Sequence, residues 1–224
     1  KKCREEVGND FAISIKMNSA DFQKGGFSPE DSIQVAKLFS DSGIDNIEIS
    51  GGTYEQPRLL GLDKVSINPK RSENRKESTI AREAYFLSYA EEIAKVVNIP
   101  LMVTGGFRTK EGMEAALADG ACEIVGVGRP LCANPYAIKE LLAGQIDELP
   151  KYEKTLSIGP WWLSPTSPFR LIQAINAFSA QAWFYQQIKK MGKGLMPDLN
   201  LKPWKAFRED AKADQEAIKE YQNI

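Results

Sequence analysis

A repeated pattern constrains this chain more than anything else in it. Between residues 9 and 144, a short run rich in apolar and β-branched residues is followed four times by a stretch with helical spacing. The first run is Phe11-Ala12-Ile13-Ser14-Ile15-Lys16-Met17, entered from the turn-forming Gly8-Asn9-Asp10. The second, Asn46-Ile47-Glu48-Ile49-Ser50, closes on Gly51-Gly52. The third, Ile99-Pro100-Leu101-Met102-Val103-Thr104, closes on Gly105-Gly106. The fourth, Cys122-Glu123-Ile124-Val125-Gly126-Val127, closes on Gly128-Arg129-Pro130. Runs of this length and make-up read as strands. The stretches between them read as helices. Ser28 before Pro29 and Asp31 predicts a capped start, and Gly43 predicts a stop. Glu83, Phe86, Tyr89, Ala90, Ile93 and Val97 share helical spacing. Thr109 predicts the cap of a helix ending near Gly120, and Asn134-Pro135 the start of one ending near Gly144. Strands that alternate with helices form a parallel sheet joined by helical crossovers. The strands are nearly continuous in apolar residues, which predicts burial on both faces. The fold class is therefore α/β.

The character changes after Gly144. No strand pattern occurs in 145–224. Trp161-Trp162, Pro165 and Pro168 mark a turn-rich segment. Residues 169–191 fit an amphipathic helix with Leu171, Ile172, Ile175, Phe178, Trp183 and Ile188 on or near one side. Residues 204–222 fit a second, charged helix. The plain expectation is a helical extension packed on the preceding units; a membrane-surface helix or an oligomer contact is the sharper one. The connection from Thr53 to about Thr79 is long and highly charged, which suits an exposed lid over a site or a disordered segment.

Charge and residue usage exclude several functions. A net charge of −1 leaves no footprint for nucleic acid. No run of 18 apolar residues occurs, so no membrane-spanning helix is expected. The chain contains no histidine, which excludes histidine triads, histidine metal sites and histidine proton shuttles within it. Cys3, Cys122 and Cys132 stand far apart and are odd in number, which argues against a disulfide framework or a zinc site and for a cytoplasmic setting. The charged start, Lys1-Lys2-Cys3-Arg4-Glu5-Glu6, is no signal peptide; it reads as the tail of a helix in a longer chain.

Two strand ends carry the strongest chemical signal: Thr104-Gly105-Gly106-Phe107-Arg108-Thr109 and Gly126-Val127-Gly128-Arg129-Pro130. Each presents bare backbone amides just ahead of a helix. Glycine lets the backbone approach an anion closely. Two such ends on adjacent strands can converge on one phosphate, and Arg129 supplies a planar donor beside them. Tight βα turns alone would also explain glycines there. The spacing is not the dinucleotide fingerprint, because no G-x-G-x-x-G array follows the first strand.

A family resemblance rests on these and other segments. Ser14-Ile15-Lys16-Met17-Asn18, Ile47 through Glu55, Arg82-Glu83-Ala84-Tyr85-Phe86-Leu87, Thr104 through Thr109 and Val125 through Leu131 resemble the old yellow enzyme family, and within it the NADH:flavin oxidoreductases. The match runs in order over residues 1 to about 145. It implies a parallel (β/α) barrel of the TIM type, of which this chain holds strands 5–8 and their helices. It implies two domains: 1–145, the C-terminal half of an FMN-binding barrel, and 146–224, a helical extension. It implies FMN as cofactor, with its phosphate on the backbone of Gly105, Gly106 and Gly128 and on Arg129, and with Lys16 near flavin N1 and the C2 carbonyl. NADH or NADPH would be the reductant and an activated alkene or another small molecule the acceptor. The family's substrate-anchoring His/Asn pair and its proton-donating Tyr are not found here, so no catalytic residue is assigned. Glu48 is read as a partner of Lys16 rather than a catalyst. Two open sheet edges on a half barrel favour a homo-oligomer. The rival reading is a non-catalytic fragment, or a degenerate homologue, that acts only by assembly with another barrel half.

Overall fold

The computed structural model describes residues 1–21, 25–51 and 86–222. The expected lid between Thr53 and Thr79 lies outside them. In chain order the elements are α1 (Lys2–Val7), β1 (Ser14–Asn18), α2 (Pro29–Asp41), β2 (Asn46–Ser50), α3 (Leu87–Ala94), β3 (Leu101–Thr104), α4 (Lys110–Ala118), β4 (Ile124–Gly126), α5 (Arg129–Ala133), α6 (Ala137–Leu142), α7 (Arg170–Met191) and α8 (Pro203–Gln222). The chain forms two compact units, Lys1–Gly128 and Arg129–Ile224.

In the first unit the four strands form one parallel sheet in the order β1-β2-β3-β4. The register is unbroken: Lys16 lies opposite Glu48, Glu48 opposite Met102, and Met102 opposite Ile124. Side chains alternate across a strand, and the two faces differ. Ile47, Ile49, Leu101 and Val103 are buried and pack in one core with Ala36 of α2, Ala90 and Ile93 of α3, and Ala116 of α4. The other face carries Ser14, Lys16, Asn46, Glu48, Ser50, Met102 and Thr104, all partly or fully exposed. Burial on both faces, the expectation for a parallel sheet, is therefore met on one face among the described residues. The described helices α2, α3 and α4 pack on the apolar side.

Local sequence explains the element ends. Ser28 caps α2 through a reciprocal box: its Oγ accepts from Asp31 N at 3.1 Å, and Asp31 accepts from Ser28 N at 3.0 Å. These bonds hold the Asp31 carboxyl below its ordinary pKa. Ser28→Ala is expected to cost about 1 kcal/mol in a denaturant melt; a wild-type midpoint would show the box contributes nothing. Thr109 caps α4 by accepting from Gly112 N at 3.1 Å. β1 starts three residues later than expected, because Phe11 O and Ile13 N are engaged elsewhere. Phe11 O accepts from Arg4, and Ile13 N donates to the Asp45 carboxylate, which also pairs with Arg4. The helix expected from Asn134 instead begins at Ala137. Asn134 Oδ1 accepts from Tyr136 N in a turn, and the short α5, not foreseen, precedes it.

The second unit is helical, with no strand among its described residues, and it begins at Arg129, whereas the sequence pattern placed the change of character after residue 145. α7 and α8 pack around Trp183, which is 1% exposed, with Ala182, Phe184 and Ala206. Trp183 Nε1 donates to Leu201 O at 2.9 Å. Gln187 joins it: its amide donates to Asp198 O at 3.1 Å and accepts from Asp198 N at 2.6 Å. The expected apolar side of α7 is divided. Trp183 is buried, whereas Leu171, Phe178 and Ile188 are exposed. Asn176, Ser179 and Gln187 share the buried side, which an apolar count alone misplaces.

Candidate anion-binding site

The sheet register decides which glycines meet. Thr104 is the ladder partner of Gly126 on adjacent parallel strands. Gly105-Gly106 and Val127-Gly128 therefore leave the sheet side by side, at its C-terminal edge. Gly105 has φ 122° and Gly106 φ 90°. Residues with a Cβ rarely adopt these angles, so the backbone there turns in a way only glycine accepts freely. A Cβ at Gly128 would meet nothing within 4 Å, so the second loop presents open backbone. Phe107, 1% exposed, anchors the first loop in the core, and Arg108 is buried beside it, donating to Phe107 O at 2.7 Å.

Arg129 is the first residue of α5 and opens the second compact unit. It is half-buried, and its charge opposes the burial that pushes the Cys132 thiol pKa up. α5 has only five residues, so its axial dipole is small.

Lys16 stands apart from the glycines. It lies on β1, three strands from β4, or about 14 Å across the ladder. Its Nζ donates to Glu48 Oε1 at 2.6 Å. The Lys16 side chain is 55% exposed and that of Glu48 19%. Burial raises the Glu48 pKa, but the hydrogen bond and charge of Lys16 outweigh it, and the carboxyl lies below its ordinary value. The Thr104 side chain, on the same face, adds a smaller pull, although no hydrogen bond of standard geometry joins its hydroxyl to the carboxylate. Glu48 is thus ionised at neutral pH and holds the lysine ammonium over the exposed face of the sheet.

Thr104 is the residue the sequence reading passed over. Its Oγ1 is buried and has no hydrogen-bond partner. It stands one residue before the glycine pair and packs directly on Gly126. The Thr-Gly-Gly run was visible, but the glycines drew the interpretation and the hydroxyl did not. Among the described residues no group of three or more Cys, Asp or Glu side chains could hold a metal ion.

Comparison with known proteins supports the family resemblance. No family model matches the chain. It is 39% identical over 144 residues to the NADH-dependent flavin oxidoreductase iliE of Hypocrea jecorina, covering 62% of this chain and 33% of that protein. It is 31% identical over 191 residues to an NADH oxidase of Thermoanaerobacter brockii, covering 85% of this chain and 27% of that one. It is 29% identical over 197 residues to iccE of Talaromyces variabilis, another NADH-dependent flavin oxidoreductase, covering 86% and 45%. Among solved structures, a 2-naphthoyl-CoA reductase in complex with 2-naphthoyl-CoA aligns with a TM-score of 0.51 at 26% identity, covering 65% of this chain and 20% of that one. The chain is thus a relative of NADH-dependent flavin oxidoreductases and spans less than half the length of each.

Proposed function

We propose that this chain is the FMN-holding half of an NAD(P)H-dependent flavin oxidoreductase, contributing strands 5–8 of a β/α barrel. The register of Thr104 with Gly126 carries this reading, because it brings two glycine-closed loops to one sheet edge. The amides of Gly105, Gly106 and Gly128, with Arg129, would hold the FMN phosphate. The donor set suits a dianion: backbone amides with no side chain in the way and one guanidinium. Lys16 would face the pyrimidine edge of the isoalloxazine, with Glu48 fixing its position. A cation there favours the reduced flavin, which is anionic at N1. The distance from β4 to β1 suits a cofactor with its phosphate at one end and its ring at the other.

FMN bound there would supply hydride chemistry between NADH or NADPH and a small acceptor such as an activated alkene. This chain's own residues bind, orient and tune. The groups that anchor a substrate carbonyl and deliver a proton belong, on this reading, to barrel strands outside the chain. The open polar sheet face, with Lys16 and Glu48 on it, is the surface those strands would close over. Residues 1–145 then form the barrel portion and 146–224 its helical extension, the pair working without nucleic acid and with a homo-oligomer as one way to cover the open edges.

The test is titration of FMN into the purified chain, followed by flavin fluorescence and competed with inorganic phosphate. Arg129→Ala is expected to raise the dissociation constant about tenfold, the size of one charge-assisted hydrogen bond. Unchanged affinity in that variant, or binding that phosphate does not compete, would overturn the assigned grip.

A further inference from the structure

Charge is unevenly placed in this near-neutral chain. Between residues 154 and 208 stand eight lysines and arginines and one acid, Asp198. That acid is engaged: Lys190 Nζ lies 3.2 Å from its carboxylate, and the Asn200 amide also donates to it. The total is −1, so the rest of the chain is acidic in balance. The basic segment also holds the most exposed large aromatic residue among those described, Trp161, at 88%.

The exposed apolar groups are arranged rather than scattered. Leu171, Phe178 and Tyr185 recur every seven residues on α7, with Ile188 one turn further, and all four are exposed. They lie opposite the side that buries Trp183 and Gln187. Arg170 opens this stripe, and Lys189 near its end is paired with Asp210 at 2.7 Å. Ahead of the helix, Trp161 and Trp162 stand on a short 3₁₀ turn, Trp161–Leu163. Asn176 of α7 fixes that turn, donating to Leu163 O at 2.8 Å and accepting from Ile158 N at 3.0 Å. Trp161 has φ 53°, a left-handed conformation that bulky residues adopt at a cost. The turn spends that cost on pointing an indole at solvent.

We propose that this face of the second unit docks on the interface of an anionic lipid bilayer. Tryptophan pairs an apolar ring with a polar N–H and settles at the headgroup level. Lysine and arginine beside such rings are drawn to the negative surface of anionic membranes. Few acids stand in the segment itself, and Glu209 and Asp210 just beyond it are paired with Lys205 and Lys189, which lessens the repulsion such a surface would otherwise meet. No described helix is long and apolar enough to cross a membrane, so the unit lies on the surface. A second copy fits less well, because meeting through the same face would bring two basic surfaces together. The proposal is independent of FMN.

The test is flotation of the full chain with vesicles of phosphatidylcholine alone and of mixed phosphatidylcholine and phosphatidylserine. Retention on the mixed vesicles is expected to be at least about tenfold stronger, released by salt, and accompanied by a blue shift of tryptophan emission. Trp161→Ser with Trp162→Ser should remove most of the retention. Lys193→Glu with Lys202→Glu, both exposed, should do so without touching an aromatic residue. Equal retention on both vesicles, or none, overturns the proposal. So does capture by polyglutamate without vesicle retention, which points to an acidic protein surface, or a concentration-dependent emission shift in the absence of lipid, which points to self-association.

Discussion

Gly126→Val is expected to cost about 3 kcal/mol of folding stability and to dismantle the candidate anion site together with the sheet edge. A Cβ at Gly126 would collide with Thr104 Oγ1 and would stand 2.8 Å from Thr104 Cβ and 2.7 Å from Met102 Cε. Methionine is flexible and can withdraw. Thr104 cannot do so fully: it is β-branched, and its Cβ belongs to a residue held in the ladder opposite Gly126. Relief therefore requires β3 and β4 to separate. β4 has only three residues, so few ladder bonds resist the separation. Once the strands part, Gly105-Gly106 and Gly128 no longer leave one edge. A urea melt should show the lost stability in its midpoint, and FMN affinity should fall with it. Thr104→Ala alone should be mild, because its hydroxyl has no hydrogen-bond partner to lose. Combined with Gly126→Ala, it should recover part of that variant's loss, since the oxygen is gone while the Cβ contact remains. That non-additivity is the signature of direct contact. A Gly126→Val protein that melts like the wild type would show that the close approach does not exist.

Gly126 also marks where sequence reading reached its limit. The four strand–helix units were legible because hydrophobic period and glycine closure report on backbone directly. The caps at Ser28 and Thr109 were legible for the same reason, being rules about adjacent residues. Side-by-side placement of the two glycine loops needed only the inference that successive βα units are neighbours. The missing role of Thr104 is of another kind. It depends on which side chain of β3 faces which position of β4, a register that no local pattern states. Lys16 with Glu48 lay between these cases: both residues were visible on strands, but their pairing follows from register partners on β1 and β2. In α7 the error came from composition. Polar Asn176 and Gln187 are buried because each satisfies backbone groups of a neighbouring loop, and Leu171 and Phe178 are exposed although apolar. Burial there follows hydrogen-bond satisfaction as much as hydrophobicity.

Trp183→Ala is expected to lower the stability of the second unit by about 3–5 kcal/mol, the range for removing a fully buried aromatic residue. The ring packs edge-on to Phe184 at 5.2 Å between centroids and tilted on Tyr152 at 5.8 Å. Its N–H also satisfies Leu201 O, in the connection between α7 and α8. Trp183→Phe separates the two contributions: it keeps most of the ring and leaves the carbonyl unpaired, for a loss of about 1–3 kcal/mol. If both variants lose the same amount, the hydrogen bond and not the packing holds the pair of helices. Trp183→Phe has a second use, because the chain contains four tryptophans and the other three, Trp161, Trp162 and Trp204, are exposed. Its emission should shift to the red of the wild type, since only solvent-facing indoles remain. A blue shift on adding anionic vesicles to that variant then arises from the outer face alone. Unshifted emission at a lipid concentration that retains the protein would mean that contact is made elsewhere on the chain.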